Sequence, residues 1–133
     1  MADDPSQPIL KDWQTVQSSA AAVSSTLTAT VIAANTLNLP GVAISAQQLN
    51  VVINIFQQAP SPQALLPQDQ SVLEAHVSDL EGQLAKSGRE PAVFTCKHYR
   101  DKCLKTATSM PQKIDCWLTY AACLAAAVNP RNI

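Results

Sequence analysis

The first third of the chain places apolar residues at alternating intervals of three and four positions. These intervals match the period of an α-helix, about 3.6 residues, and hydroxyl side chains fall mostly on the other side. The β-branched residues around 26–32 lower the intrinsic helix propensity, but the pattern runs longer than a strand normally does. We therefore predict a long first helix that begins near Ile9 and buries one stripe, formed by Trp13, Val16, Ala20, Val23, Leu27, Thr30 and Ala34.

The Asn-Leu-Pro-Gly sequence at 38–41 predicts a turn before a second helix. We expect Ser45 to cap this helix, which ends near Gln58 before a proline-rich run. Val51 and Ile55 widen its apolar arc, so the second helix is predicted to be the central and most buried one. The main part of that arc is formed by Leu49, Val52, Ile53 and Phe56.

A capping box predicts the start of a third helix. Ser71 supplies a hydroxyl that accepts a backbone N–H, and the carboxylate of Glu74 reaches back to the first turn. Gly88 is expected to end the helix. Its buried stripe is predicted to consist of Leu73, Val77, Leu80 and Leu84.

Two further helices are predicted for about 92–106 and about 110–128. Pro91 introduces the first of them, and Ser109 is the expected cap of the second. An Asn-Pro pair at 129–130 is expected to end the ordered part of the chain.

These elements predict an all-α fold, a single-domain bundle of about five helices. A length of 133 residues suits one domain with a sizeable core, and short connectors are typical of helical bundles. The bundle domain is expected to cover 9–133, preceded by a polar, proline-containing and flexible tail at 1–8.

The last two predicted helices repeat one motif, a cysteine, six other residues, a second cysteine and a leucine. Seven residues are two helical turns, so both cysteines of a helix point the same way, about 10 Å apart along the axis. That distance is too long for a disulfide within one helix. An antiparallel helical hairpin over 92–128 therefore favours a nested pairing, with Cys103 bonded to Cys116 near the turn and Cys96 bonded to Cys123 at the open end.

The cysteines also indicate a compartment, because an even number at regular spacing in a small chain is typical of disulfides formed in an oxidising environment. The motif is similar to the twin-cysteine helical hairpins of the mitochondrial intermembrane space, although its spacing differs from those usual there. Residues 2–7 resemble the mature start of an exported protein, with Met1 supplied by cloning. We therefore expect a removed leader and a secreted or periplasmic protein.

Charge is sparse and unevenly placed. Charged residues make up 14% of the chain against roughly 25% typically, the net charge is −1, and no Lys, Arg, Asp or Glu lies between Trp13 and Gln68. Polar residues interrupt every apolar run before it reaches the roughly 18 residues of a membrane span. Nucleic acid is not an expected partner, because its phosphates require a clustered basic face. We expect the uncharged stretch to be solvated by hydroxyls and amides; the alternative is a neutral contact surface.

Catalytic and metal-binding arrangements are not expected. A metal site made of the four thiols and His98 is the alternative to disulfides, but six intervening residues prevent one helix from supplying two cysteine ligands to one ion. His76 is expected beside the apolar stripe of the third helix, as a surface or boundary residue, and His98 is expected to be an exposed helical residue. The carboxylates of Glu74, Asp79 and Glu81 are assigned to helix capping and solvation. No nucleophile elbow or phosphate-binding glycine loop occurs, so we expect a protein that is not an enzyme and needs no cofactor.

Two functions remain open from the sequence. The first is an exported helical module that docks a partner protein, in an inhibitor, immunity or adaptor role. Tyr99, Arg100, Trp117 and Tyr120 are its candidate contact residues, because aromatic and arginine side chains dominate interface energetics. The alternative is a carrier that encloses a lipid or another apolar ligand among uncharged helices.

Overall fold

A computed structural model describes residues 7–128, which form five α-helices and no strand. The all-α prediction is therefore confirmed. The first helix begins at Gln7 rather than Ile9; residues 1–6 of the predicted tail and the expected end at 129–130 lie outside the described residues. The helices are α1 Gln7–Thr36, α2 Pro40–Gln58, α3 Asp69–Lys86, α4 Glu90–Thr106 and α5 Met110–Ala126, with a short 3-10 turn at Pro62–Ala64 between α2 and α3.

The predicted stripe of α1 is confirmed at all seven positions, from Trp13 to Ala34, each of which is buried. Polar contacts fix the neighbours of this helix. The Trp13 indole N–H and the Gln17 amide both donate to the Ala59 carbonyl at the end of α2, at 2.7 and 2.8 Å. These bonds satisfy a carbonyl that the helix itself leaves free, and they place the start of α1 beside the end of α2.

Two predictions for α2 are wrong. The helix begins at Pro40, and Ser45 lies buried inside it instead of capping it. Asn38 adopts a positive φ of 59° that reverses the chain, and the proline ring already holds a helical φ in the first turn. Val51 and Ile55 are exposed, at 67% and 43%, because the neighbouring helices cover only the other side of α2.

The capping box predicted for α3 is also wrong, because the helix starts two residues before Ser71. Asp69 lies in the first turn, where its carboxylate accepts the Leu66 N–H at 2.7 Å and is placed favourably for the helix dipole. The stripe itself is confirmed, as is the end of the helix at Gly88, whose φ is 87°. The buried positions are Leu73, Val77, Leu80 and Leu84.

Four helices, α1, α2, α3 and α5, pack each against the next and close into a bundle that we call the four-helix core. Ser19 of α1 donates a hydrogen bond to Asp115 of α5, and Thr30, further along α1, donates to Ala125, further along α5. The two helices therefore run parallel. Helices α3 and α5 each pack against three others, whereas α2 packs mainly against α1 and α3, so the predicted central position of α2 is wrong. The buried residues of α5 are Pro111, Ile114, Cys116, Leu118, Tyr120, Ala121, Leu124 and Ala125.

Helix α4 lies outside the four-helix core, against α3 and α5. Only Val93 and Cys96 of its seventeen residues are buried. Two disulfides join it to α5 in the predicted nested order, Cys96–Cys123 and Cys103–Cys116, with Cα atoms 5.8 and 5.7 Å apart. The predicted cap of α5 is confirmed as well, since the Ser109 hydroxyl accepts the Gln112 N–H.

Candidate functional site

Three of the four candidate contact residues meet between α4 and α5. The Arg100 guanidinium lies over both aromatic rings, 5.1 Å from the Trp117 centroid and 4.7 Å from the Tyr120 centroid. The two rings contact each other edge to face, with centroids 5.8 Å apart. Each of these arrangements is favourable, by about 0.5–2 kcal/mol for a cation over a ring.

Glu81 extends this cluster to α3. Its Oε1 atom accepts the Tyr120 hydroxyl at 2.5 Å and lies 3.2 Å from the Lys97 ammonium of α4. The assignment of Glu81 to capping and solvation is therefore wrong. Burial, together with the hydrogen bond to Glu81 and its negative charge, raises the pKa of Tyr120 well above the ordinary range.

The arrangement of this cluster holds α4 in a fixed position on the core. Tyr120 is only 2% exposed, and Trp117 is partly buried against the core, so both rings are covered mainly by the protein itself. Arg100 and Lys97 tie α4 to these side chains at two successive turns, and the disulfides lie on either side. Rotation or sliding of α4 would break all of these contacts together.

Tyr99 points away from the cluster. It is 62% exposed and makes an edge contact with His98, with ring centroids 5.9 Å apart. Phe94 is still more exposed, at 75%. Together these residues belong to the side of α4 that faces solvent, which we call the outer α4 face: Phe94, Thr95, His98, Tyr99, Asp101, Lys102 and Lys105.

The outer α4 face carries positive charge without an internal partner. Residues 11–128 contain two ion pairs, Lys97 with Glu81 and Arg100 with Asp101, and neither Lys102 nor Lys105 belongs to them. Phe94, Lys102 and Lys105 were not among the contact residues predicted from the sequence. Phe94, His98, Lys102 and Lys105 follow one another at intervals of four, four and three residues, which places them on one side of a helix. This spacing could have identified them from the sequence.

The uncharged stretch forms α1, α2 and the connector after them. Its solvent-facing side mixes hydroxyl and amide residues with exposed aliphatic ones, and the Asn50 amide bonds the Thr28 hydroxyl between the helices at 3.5 Å. The exposed aliphatic residues are Ile32, Leu37, Ile44, Val51, Ile55 and Leu66. No helix among the described residues is both long and apolar enough to cross a membrane.

Three clefts of about 220–270 Å³ lie at the ends and edges of the helices. One borders the Cys103–Cys116 disulfide and includes the carboxylates of Asp12 and Asp115, of which Asp115 accepts the Ser19 hydroxyl. All four cysteines are bonded in pairs, so their thiolates are not available as metal ligands. The described residues hold no group of three or more His, Cys, Asp or Glu side chains suited to a metal ion.

No protein-family model matches the chain, and no significant match was found among curated proteins or solved structures. Fold and site define a disulfide-linked α-helical bundle with one external helix whose exposed side carries aromatic and lysine residues. Function is therefore inferred from the chain's own residues.

Proposed function

We propose that this protein is an exported, non-enzymatic binding module that docks a partner protein through the outer α4 face. The observation that carries this proposal is the combination of external position and fixed geometry in α4. The helix buries little of itself, yet two disulfides and the Arg100–Trp117–Tyr120–Glu81 cluster hold it against the core.

A fixed helix binds at a lower entropic cost than a mobile one, because its backbone is already ordered before the partner arrives. Phe94 and Tyr99 are the residue types that supply most of the binding energy at protein interfaces. Both side chains are exposed to solvent, Phe94 at 75% and Tyr99 at 62%, instead of being packed into the core. The proposed contact surface thus includes Tyr99 directly, while Arg100, Trp117 and Tyr120 support it from behind.

Two disulfides in a small chain are typical of proteins that work in an oxidising environment. This supports the exported location, secreted or periplasmic, that the proposal includes. An inhibitor, immunity or adaptor role would use the same surface.

The carrier of an apolar ligand is less well supported. The three described clefts are small; the residues around one of them are mostly polar or charged, and those around another are half polar. The third, beside Cys96 and Cys123, is lined by Ala and Thr side chains at the edge of the hairpin. A lipid found by native mass spectrometry in the purified protein would favour the carrier over the docking module.

Site-specific photo-crosslinking tests the docking function. A benzophenone amino acid replaces Tyr99 in one variant and Val51 of α2 in a matched control, because these side chains are 62% and 67% exposed. After incubation with the culture fluid or periplasm of the producing organism, we expect one discrete protein adduct at position 99 and none at position 51. The absence of an adduct at 99, or equal adducts at both positions, would contradict the proposal.

A further inference from the structure

We infer that the outer α4 face receives an acidic segment of its partner, whose carboxylates pair with Lys102 and Lys105 while apolar side chains cover Phe94 and Tyr99. This inference rests on the proposed function and adds the chemistry of the partner to it. Its basis is the charge that the chain leaves without a counterpart on this side of α4.

Two acidic side chains that contact α4 residues are already engaged in ion pairs. Asp101 pairs with Arg100 at 3.0 Å, and Glu81 binds Tyr120 and Lys97. Each of these carboxylates therefore balances another group, and neither neutralises the two lysines. Carboxylates from outside would supply the missing counterpart and would also steer the encounter between the proteins.

The positions along the helix set what the partner must present. At 1.5 Å per residue, Lys102 and Lys105 are about 4.5 Å apart along the axis, and Phe94 lies about 12 Å from Lys102. Tyr99 stands between them, beside His98. The partner segment therefore needs carboxylates about one helical turn apart, with apolar residues one to two turns away from them.

Helix stability alone does not account for this arrangement. Lys105 lies in the last turn of α4, where a cation interacts favourably with the helix dipole. Lys102 lies before that turn, and the exposed aromatic rings gain nothing from the dipole. An aromatic side chain that is 75% exposed gains most from burial when a partner covers it.

Protein carboxylates fit this face better than nucleic-acid phosphates do. Specific duplex binders commonly make about 6–10 phosphate contacts. The outer α4 face offers two lysines without an ion-pair partner, and the whole chain has a net charge of −1. A short acidic segment matches this small number of cations.

The test uses a short synthetic peptide of Glu, Asp and Leu residues and, as its neutral counterpart, the same peptide with Gln and Asn. Backbone amide chemical shifts of the oxidised full chain report where each peptide binds. We expect changes within 93–106 with the acidic peptide only, weakened between about 50 and 300 mM salt. Lys102→Glu should weaken binding at least about tenfold, while Lys86→Glu, the same charge reversal on α3, should have little effect.

Equal binding of the neutral peptide, shift changes confined to other helices, or equally tight binding of an oligothymidylate would overturn the inference. The crosslinking assay separates this failure from failure of the docking function. If the adduct at position 99 forms equally well when the same protein also carries Lys102→Glu, the acidic-partner inference fails and the docking function stands. If no adduct forms, both fail.

Discussion

At the residue scale, single polar groups join helices that are distant in the sequence. The Tyr120 hydroxyl ties α5 to α3 through Glu81, and the Trp13 indole ties α1 to the end of α2 through the Ala59 carbonyl. Both donors are buried, so each bond satisfies a group whose loss of hydration would otherwise be costly.

Tyr120→Phe is expected to lower the free energy of unfolding by about 1–2 kcal/mol at neutral pH, because it removes a buried hydrogen bond to a carboxylate. It should also change the response to high pH. The folded state raises the pKa of Tyr120, so the stabilisation is fully present below the unfolded pKa of about 10 and is lost as pH rises above it.

Urea unfolding at intervals from about pH 9 to 11.5 measures this difference. In wild type, the unfolded chain loses the Tyr120 proton at about pH 10, whereas the folded protein keeps it to higher pH. The free energy of unfolding of wild type should therefore fall more steeply with pH than that of Tyr120→Phe. Lysine titration is common to both proteins and acts as the internal control. Parallel stability curves would mean that the Tyr120 proton is not held by the fold.

At the element scale, α1 and α2 show what periodicity can and cannot predict. The stripe of α1 was found completely, because small polar residues separate its members all along the helix. In α2 the main arc, which includes Val52 and Ile53, was predicted correctly and is buried, but the pattern could not show that its extension through Val51 and Ile55 stays exposed. The choice depends on which neighbours pack against α2, and that is a property of the tertiary fold.

The boundary between the buried and exposed sides of α2 is tested by two equal truncations. Ile53→Ala should lower the free energy of unfolding by about 2–4 kcal/mol, because it removes a fully buried side chain and leaves a cavity. Ile55→Ala should cost less than about 1 kcal/mol, because that side chain is 43% exposed. Chemical denaturation of both variants makes the comparison. Equal losses would show that Ile55 also faces the core.

The candidate site divides in the same way. Residue type and hairpin geometry were enough to select Arg100, Trp117 and Tyr120, which the fold brings together. Glu81 was missed because it comes from α3, and the position of α3 beside the hairpin cannot be read from periodicity. The inward position of Arg100, Trp117 and Tyr120, which were predicted as partner contacts, was missed for the same reason, since the covered side of α4 depends on α3 and α5.

At the scale of the whole molecule, the protein consists of a four-helix core and one helix held on its outside. The core helices bury continuous apolar stripes, whereas α4 contributes only Val93 and Cys96. The disulfides close loops between cysteines that lie 13 and 27 positions apart in the sequence. By restricting the unfolded chain, each is expected to stabilise the folded protein by about 3 kcal/mol. Covalent bonds thus provide α4 with the stability that apolar burial provides elsewhere.

The docking proposal depends on this division between core and external helix, because it needs an α4 that is exposed and still ordered. The test is amide hydrogen exchange, compared between wild type and a variant with all four cysteines replaced by alanine. We expect amides of 93–106 to lose protection by orders of magnitude in the variant, while those of α1, α2 and α3 remain protected. Unchanged protection in 93–106, or a uniform loss across every helix, would contradict it.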